Sequence, residues 1–221
     1  MTQVTKRFAN GLYGITPEWQ DHAKLLHAIE AACRGGMRVL QWRQKKLSYA
    51  DSLALALEAK AICHQYQCQF FVNDSVQLAL DCRADGVHIG RDDGSVEALR
   101  KACQAQGQSL FIGVSCYNDI NLAQQAIKDQ VDYLAFGALF PSSVKPEAVV
   151  ASLDLFAAAK AVMQAHQLGA TERPALVGIG GIDRHNARSV VEAGADSIAV
   201  ISGLFESDEI EATARYLSNL F

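Results

Sequence analysis

FFVNDSVQLALDCRADGVHIGRDD, residues 70–93, holds two short apolar runs, FFVN and GVHI, on either side of a segment rich in Ala and Leu. Each run is nearly continuous in apolar side chains, the pattern of a strand buried on both faces. The segment between them shows the wider spacing of a helix with a one-sided apolar stripe. The unit therefore reads as strand, helix, strand. Each strand also ends in carboxylates, Asp74 after the first and Asp92-Asp93 after the second. Carboxylates at neighbouring strand tips repel one another unless something cationic lies between them.

The same plan recurs outward in both directions. Strands are expected over Leu12–Thr16, Arg38–Arg43, Phe70–Asn73, Gly86–Ile89, Leu110–Val114, Tyr133–Phe136, Ala175–Ile179 and Ser197–Ile201. Helical stretches such as HAKLLHAIEAACRGG, SYADSLALALEAKAICHQY, VEALRKACQAQG and DINLAQQAIKDQ lie between them. RADGVHIG (83–90), QVDYLAFG (130–137) and GADSIAVI (194–201) echo one another, with an Asp just before each buried strand. Asp85, Asp132 and Asp196 read there as ordinary residues of a helix-to-strand loop. Eight strand–helix units predict an α/β fold, a (β/α)8 TIM barrel forming a single domain over residues 1–221. A doubly wound open sheet is the alternative. No linker interrupts the pattern. The longest connection without a strand is GALFPSSVKPEAVVA (137–151), which follows the sixth strand.

Composition narrows the function. The chain has 221 residues, half of them apolar, enough for one sizeable core. A net charge of −4 with no Lys/Arg-rich run argues against a nucleic-acid or anionic-membrane partner. No apolar stretch approaches the roughly 20 residues that a membrane span needs. MTQVTKRFANGLYGITP carries no secretory signal core, so a cytoplasmic location is expected. The six cysteines show neither a CxxC pair nor zinc spacing and read as small buried thiols. Cys116 differs in following a strand end. The final segment DEIEATARYLSNLF (208–221) either caps the barrel or meets a second copy in a homo-oligomer.

In such barrels the chemistry lies at the C-terminal ends of the strands. In QWRQK (41–45) the residues Gln41, Arg43 and Lys45 alternate and share one face of an extended segment. Two cations and an amide on one face suit a polyanion such as a diphosphate; otherwise the cations simply leave the barrel into solvent. Lys145, in the long loop, either adds a third cation or is a solvent lysine. Asp74 and Asp93, facing these cations, suit a hard divalent ion; each alone would also serve as a helix N-cap. Asp92 reads as outward-facing or capping, and His88, inside GVHI, as a packed, hydrogen-bonded histidine. At the last two tips, Gly180-Gly181 is expected to open a helix from Asp183, and Ile201-Ser202-Gly203 a short turn. Glycine lets backbone N–H groups approach an anion closely, and loops seven and eight of such barrels commonly cradle a phosphate. The mouth thus reads as holding two anions, as when two phosphorylated small molecules are joined with loss of pyrophosphate.

LYGITP, QWRQK, FFVNDSVQLAL, ADGVHIGRDD, IGVS, FPSSVKP, GIGGI and ADSIAVIS resemble, in order and spacing, the thiamine phosphate synthase family over about residues 11–205. The resemblance implies a (β/α)8 barrel that condenses an aminopyrimidine diphosphate with a thiazole phosphate, giving thiamine phosphate and pyrophosphate with Mg2+. It implies that Gln41, Arg43, Lys45 and Asn73 bind the pyrimidine diphosphate and that Asp74 and Asp93 hold the metal. It places Ser115 beside the pyrimidine, Lys145 on the diphosphate, and Ser142, Ser143, Val144, Gly181, Ile201 and Ser202 around the thiazole phosphate. Arg43, Lys45, Lys145 and Ser115 are then the catalytic set of a dissociative substitution. Such a reaction needs charge neutralisation and alignment rather than a strong base. The partners implied are these two small molecules, with a homo-oligomer left open.

The chain departs from the family pattern at four places. Ser142-Ser143-Val144-Lys145 stands where Thr-x-Thr-Lys is usual, so Val144 cannot donate a side-chain hydrogen bond. Arg91 replaces a Gln, either to pair with Asp92 or to add charge for the diphosphate. Cys116-Tyr117 replaces a Thr-His pair, and Trp42 and Gln44 vary the usual Leu and acidic residue. Two rival readings share the barrel: a thiazole tautomerase, and a non-catalytic binder of thiamine-pathway phosphates. Asp93 and Tyr117 speak against the tautomerase, which tends to lack the second metal Asp and to carry a histidine after the serine.

Overall fold

A computed structural model describes residues 7–141, 149–169 and 172–221. Its strands are β1 (Gly11–Ile15), β2 (Val39–Trp42), β3 (Gln69–Asn73), β4 (Gly86–Ile89), β5 (Phe111–Tyr117), β6 (Tyr133–Phe136), β7 (Ala175–Ile179) and β8 (Ser197–Val200). They pair in chain order into a closed barrel. Parallel pairing of β1 with β8, from Gly11↔Ser197 to Gly14↔Val200, shuts the ring and excludes the open sheet. Helices α1 (His22–Arg34), α2 (Tyr49–Gln65), α3 (Val76–Asp81), α4 (Val96–Ala105), α5 (Ile120–Lys128), α6 (Asp154–Ala165), α7 (Ala187–Glu192), α8 (Ser202–Phe205) and α9 (Ile210–Ser218) lie among the connections.

β1, β2, β3 and β8 differ from expectation by one residue at one or both ends, and two boundaries shift further, for local reasons. β5 runs on to Tyr117 because the register with β6 slips between Ser115 and Tyr117, a bulge that keeps polar residues in the ladder. The helix expected from Asp183 begins at Ala187. Asp183 Oδ1 accepts from the N–H groups of His185 and Asn186 (2.8 and 3.2 Å), a side-chain turn that competes with helical bonding.

Closure creates two cores. Between barrel and helices, Leu12, Leu40, Phe70 and Trp42 are buried, and the Trp42 indole donates to Ser52 Oγ on α2 at 3.0 Å. Inside the barrel, Phe8, Tyr13, Phe71 and Tyr133 pack with centroids 4.5–6.2 Å apart. Gly113 makes room for this. A Cβ there would lie 1.9 Å from Tyr133 Cζ, so only glycine lets that ring cross the barrel. At the end of the chain, α9 is committed to α1, with Arg34 Nε 2.9 Å from Glu211 Oε2. Among the described residues no helix is long and apolar enough to cross a membrane.

All six cysteines are buried. Three of them meet: the sulfurs of Cys33, Cys63 and Cys68 lie within 4.8 Å of one another. S–H groups of Cys63 and Cys68 hold the Cys33 thiol down at about 5, while burial pushes the other two well up. Cys116 is also fully buried, and desolvation pushes its thiol up to about 12.

The three echoing Asp residues have a specific task. Asp85, Asp132 and Asp196 each accept from a backbone N–H at the start of the preceding strand: Phe70 (2.9 Å), Ile112 (2.7 Å) and Leu176 (2.8 Å). Each also donates its own N–H to the carbonyl of that same residue, at 2.8–2.9 Å. These clips set the register of neighbouring strands at the N-terminal rim. Asp132 is held above the usual carboxylate range, chiefly by burial. Its ionisation therefore opposes folding. Stability should fall as pH rises from the ordinary aspartate value through the raised folded one, relative to Asp132→Asn, whose amide oxygen still accepts the bond. Asp132→Ala, which orphans the Ile112 N–H, should be less stable than Asp132→Asn by about 1–3 kcal/mol at any pH. Urea denaturation of the three proteins between acid and neutral pH measures both effects.

Candidate active site

Two cavities mark the two ends of the barrel. One of about 990 Å3 lies at the N-terminal rim, lined by groups that include Asp85, Arg100 and Asp132. Three of its charged side chains are engaged by the fold: the two carboxylates clip strands, and Arg100 donates to the carbonyls of Asp129 and Gln130 at 2.9 and 2.7 Å. The other cavity, about 700 Å3, opens at the C-terminal ends of the strands. Gln41, Arg43, Lys45, Asn73, Asp74, Asp93, Ser115 and Ile201 all line it, as do His88, Gly90 and Gly180. Gly181 and Ser202 fall just outside that lining. Ser142, Ser143, Val144 and Lys145 lie outside the described residues.

The cationic side is built from the tips of β1 and β2. Thr16 Oγ1 accepts from the Arg43 N–H at 2.8 Å, fastening the chain after β2 to the chain after β1. Glu18 receives both the Lys45 N–H (2.9 Å) and the Arg43 guanidinium (3.5 Å). The pair leaves Arg43 about a fifth exposed, in the cavity wall rather than out in solvent. Lys45 reaches across to the next tip, its Nζ 2.7 Å from Asp74 Oδ2. Glu18 was not singled out in the sequence. Its signal is faint: an acid two residues beyond the first strand, after Pro17.

Neither Asp74 nor Asp93 is a helix cap. Ser75 caps α3 and Ser95 caps α4, accepting from Leu78 and Ala98 N–H at 3.2 and 3.1 Å. The capping alternative is thus filled by serine in both loops. Asp74 takes a left-handed φ of +63°, and its N–H bonds the His88 carbonyl at 2.8 Å. Asp93 Oδ2 accepts from the Gly90 N–H at 2.7 Å. Two carboxylates with oxygen donors only suit a hard cation of the Mg2+ class, so the donor set fits the metal that the resemblance implies.

Two of the residues that depart from the family pattern, Arg91 and Tyr117, come together in the cavity wall. The Arg91 guanidinium lies 5.2 Å from the centre of the Tyr117 ring, and the Arg91 N–H reaches the Tyr117 hydroxyl at 3.4 Å. Arg91 therefore stacks on Tyr117 and lines the cavity; of the two expected alternatives, the pair with Asp92 is not formed. Cys116 points into the outer core and Tyr117 into the cavity wall. Asp92 sits exposed at the rim.

Below the mouth runs a buried polar chain. Gln41 Nε2 donates to the Tyr13 hydroxyl (2.8 Å), which meets the Tyr133 hydroxyl (2.8 Å). Tyr133 in turn meets His88 Nδ1 (2.8 Å), and His88 Nε2 meets Ser115 Oγ (2.9 Å). His88 is packed and hydrogen-bonded, its ring 14° from parallel with that of Tyr133. Burial drives the Tyr13 and Tyr133 phenols well above their ordinary value, so both stay protonated.

On the remaining side the chain leaving β6 lies against the chain leaving β7. Leu139 and Phe140 N–H bond the carbonyls of Ile179 and Gly180 at 2.9 and 3.1 Å. At Gly181, with φ +63°, a Cβ would lie 2.4 Å from the Pro141 carbonyl oxygen, so this contact demands glycine. Val149 then returns to the cavity wall. α8 opens at Ser202 with Ile201 before it, and the Leu204 and Phe205 N–H groups bond the Ile201 carbonyl at 3.1 and 2.9 Å.

Asp74 offers a test of this geometry. Asn tolerates the left-handed backbone and Val does not. Asp74→Asn should keep the stability of the parent, because the half-exposed pair with Lys45 contributes less than about 1 kcal/mol. Asp74→Val should lose a further 1–2 kcal/mol or about that. Thermal unfolding distinguishes them.

The profile of the family described as thiamine monophosphate synthase matches residues 12–204. A thiamine-phosphate synthase from Bordetella avium is 47% identical over 211 residues, covering 96% of this chain and 94% of that protein. One from Methylobacillus flagellatus is 43% identical over 221 residues, covering both chains in full. Among solved structures, a thiamine phosphate pyrophosphorylase from Pyrococcus furiosus superposes with a TM-score of 0.79 at 28% identity, covering 95% of this chain and 94% of that one.

Proposed function

The chain belongs to the thiamine monophosphate synthase family, and on that premise we propose that its mouth condenses 4-amino-2-methyl-5-hydroxymethylpyrimidine diphosphate with 4-methyl-5-(2-hydroxyethyl)thiazole phosphate. The chain is an enzyme of thiamine phosphate synthesis. The observation that carries the reading is the meeting of Lys45 with Asp74 at 2.7 Å, in a cavity that Arg43 and Asp93 also line. Cations and carboxylates alternate there around a space that suits a diphosphate.

In the reaction the C–O bond between the pyrimidine methylene and the diphosphate breaks, and both electrons leave with the diphosphate. The amino-substituted ring supplies electron density to the methylene carbon, and the thiazole nitrogen donates its lone pair to form the new C–N bond. Arg43 grips the departing oxygens in a fork and Lys45 adds a point charge. Asn73 and Lys145 complete this grip. Asp74 and Asp93 would hold Mg2+, which when bound supplies further neutralisation of the diphosphate. Gln41 and Ser115 orient the pyrimidine ring. Gly181, Ile201 and Ser202, with Ser142, Ser143 and the backbone at Val144, hold the thiazole phosphate. The protein need supply no nucleophile or strong base, because the leaving group departs with its own charge stabilised.

Mixing the chain with both substrates and Mg2+ should release pyrophosphate and thiamine phosphate in equal amounts. Isomerisation of a thiazole phosphate alone would instead identify a tautomerase, and saturable binding without product a sensor. Asp93→Ala should lower kcat/KM by at least about a hundredfold while leaving the circular dichroism spectrum unchanged. Parental activity of that variant at limiting Mg2+ would remove Asp93 from the metal site.

A further inference from the structure

We propose that Tyr13, Tyr133 and His88 form a polarised hydrogen-bond relay that locks Gln41 and Ser115 into opposite roles, one accepting and one donating, so that the mouth reads an amino-bearing ring edge and rejects an oxo-bearing one. This rests on the pyrimidine reading above. No member of the relay other than its two ends was assigned a role there.

The direction of the relay follows from counting hydrogens. Gln41 Nε2 donates to Tyr13 at 2.8 Å, so the Tyr13 oxygen accepts. A phenol has one hydrogen. That of Tyr13 goes to Tyr133 at 2.8 Å. Tyr133 then uses its own on His88 Nδ1, also at 2.8 Å. A neutral imidazole that accepts at Nδ1 carries its proton on Nε2. His88 Nε2–H therefore donates to Ser115 Oγ at 2.9 Å, and the serine hydrogen is left for the cavity. At the other end, Gln41 spends one amide N–H inward on Tyr13, and Oε1 is the acceptor that it brings to the cavity it lines. The mouth thus presents an acceptor at Gln41 and a donor at Ser115.

An aminopyrimidine matches this pair: its amino group donates and its neighbouring ring nitrogen accepts. The oxo analogue has the two reversed, with a ring N–H beside a carbonyl. To take it, Gln41 would have to flip its amide and every hydrogen in the relay would have to turn with it. Reversal is all or none along the middle of the relay, because each phenol and the neutral imidazole has one hydrogen and these groups are buried. Tyr13 and Tyr133 remain phenols, since burial disfavours their anions, so the relay cannot shortcut by losing a proton. Gly113 is part of the device: without its missing side chain the Tyr133 ring could not lie between Tyr13 and His88. His88, Tyr13 and Tyr133 are positioning residues. They act through Gln41 and Ser115.

Nitrogen-15 NMR of the full chain labelled in histidine tests the relay without ligand. The signal that disappears in His88→Asn should show the Nε2–H tautomer; the Nδ1–H tautomer, or protonation at both nitrogens, would overturn the direction. Calorimetric binding of the 4-amino and 4-oxo forms of 5-hydroxymethyl-2-methylpyrimidine monophosphate tests the consequence. Tyr133→Phe keeps the ring and removes the link. It should mix the His88 tautomers and reduce the preference for the amino form by about tenfold or more. Tyr13→Phe, which cuts the same relay one link earlier, should reduce it likewise. A preference and tautomer unchanged in either folded variant would overturn the proposal. Should the amino form fail to bind the parent chain, the pyrimidine reading falls and the preference with it, while the histidine spectrum still decides the direction of the relay.

Discussion

Everything in this chain depends on the first strand meeting the last. Gly11 N–H bonds both the Asp196 carbonyl and Ser197 Oγ at 3.0 Å, and from there β1 and β8 run in register to Val200. Once the ring is shut, every strand has an inside and an outside, and the period of two along each strand sends alternate residues to different cores. Tyr13 points in where Leu12 points out. Likewise Gln41 goes into the barrel and Trp42 onto α2. The inward set stacks in layers, with the aromatic residues low and the polar ones near the mouth.

That layering lets charges gather at one rim without unfolding the chain. Carboxylates that are buried must find donors or lose their charge. At the lower rim they find backbone N–H groups, and the strands are thereby pinned. At the upper rim Asp93 uses one oxygen on its own loop, and Asp74 meets Lys45. Glu18 performs a quieter task, holding Arg43 and the Lys45 backbone so that the two cations enter the cavity together. The acidic and basic groups of the mouth are arranged against each other, in the manner expected where a highly charged substrate must enter and a charged product must leave.

Much of this was legible beforehand, and the limits are physical. Strands buried on both faces announce themselves by unbroken apolar runs, so β4, β6 and β7 fall where they were expected. Polar residues immediately after such runs mark the mouth, which is why Asp74, Asp93, Arg43 and Lys45 could be named from order alone. What escaped were features set by pairing between distant segments. The bulge in β5 depends on the register with β6. The link from Tyr13 to Tyr133 joins residues 120 positions apart. Nothing local to LYGIT or DYLAF hints that the two hydroxyls meet. The role of Glu18 depends on how the turn after β1 curls back. The serine caps that free Asp74 and Asp93 stand one and two residues after the acids credited with capping, and side-chain direction separates them.

The clips made by Asp85, Asp132 and Asp196 carry a wider implication. Frame and chemistry occupy opposite ends of the cylinder, and the groups that hold neighbouring strands together are not those that face the substrate. Substitutions around the opening can therefore accumulate without loosening the scaffold beneath, as the stacked Arg91 and Tyr117 already illustrate. A lineage bearing such a frame is free to explore new substrates at one end while inheriting its architecture from the other.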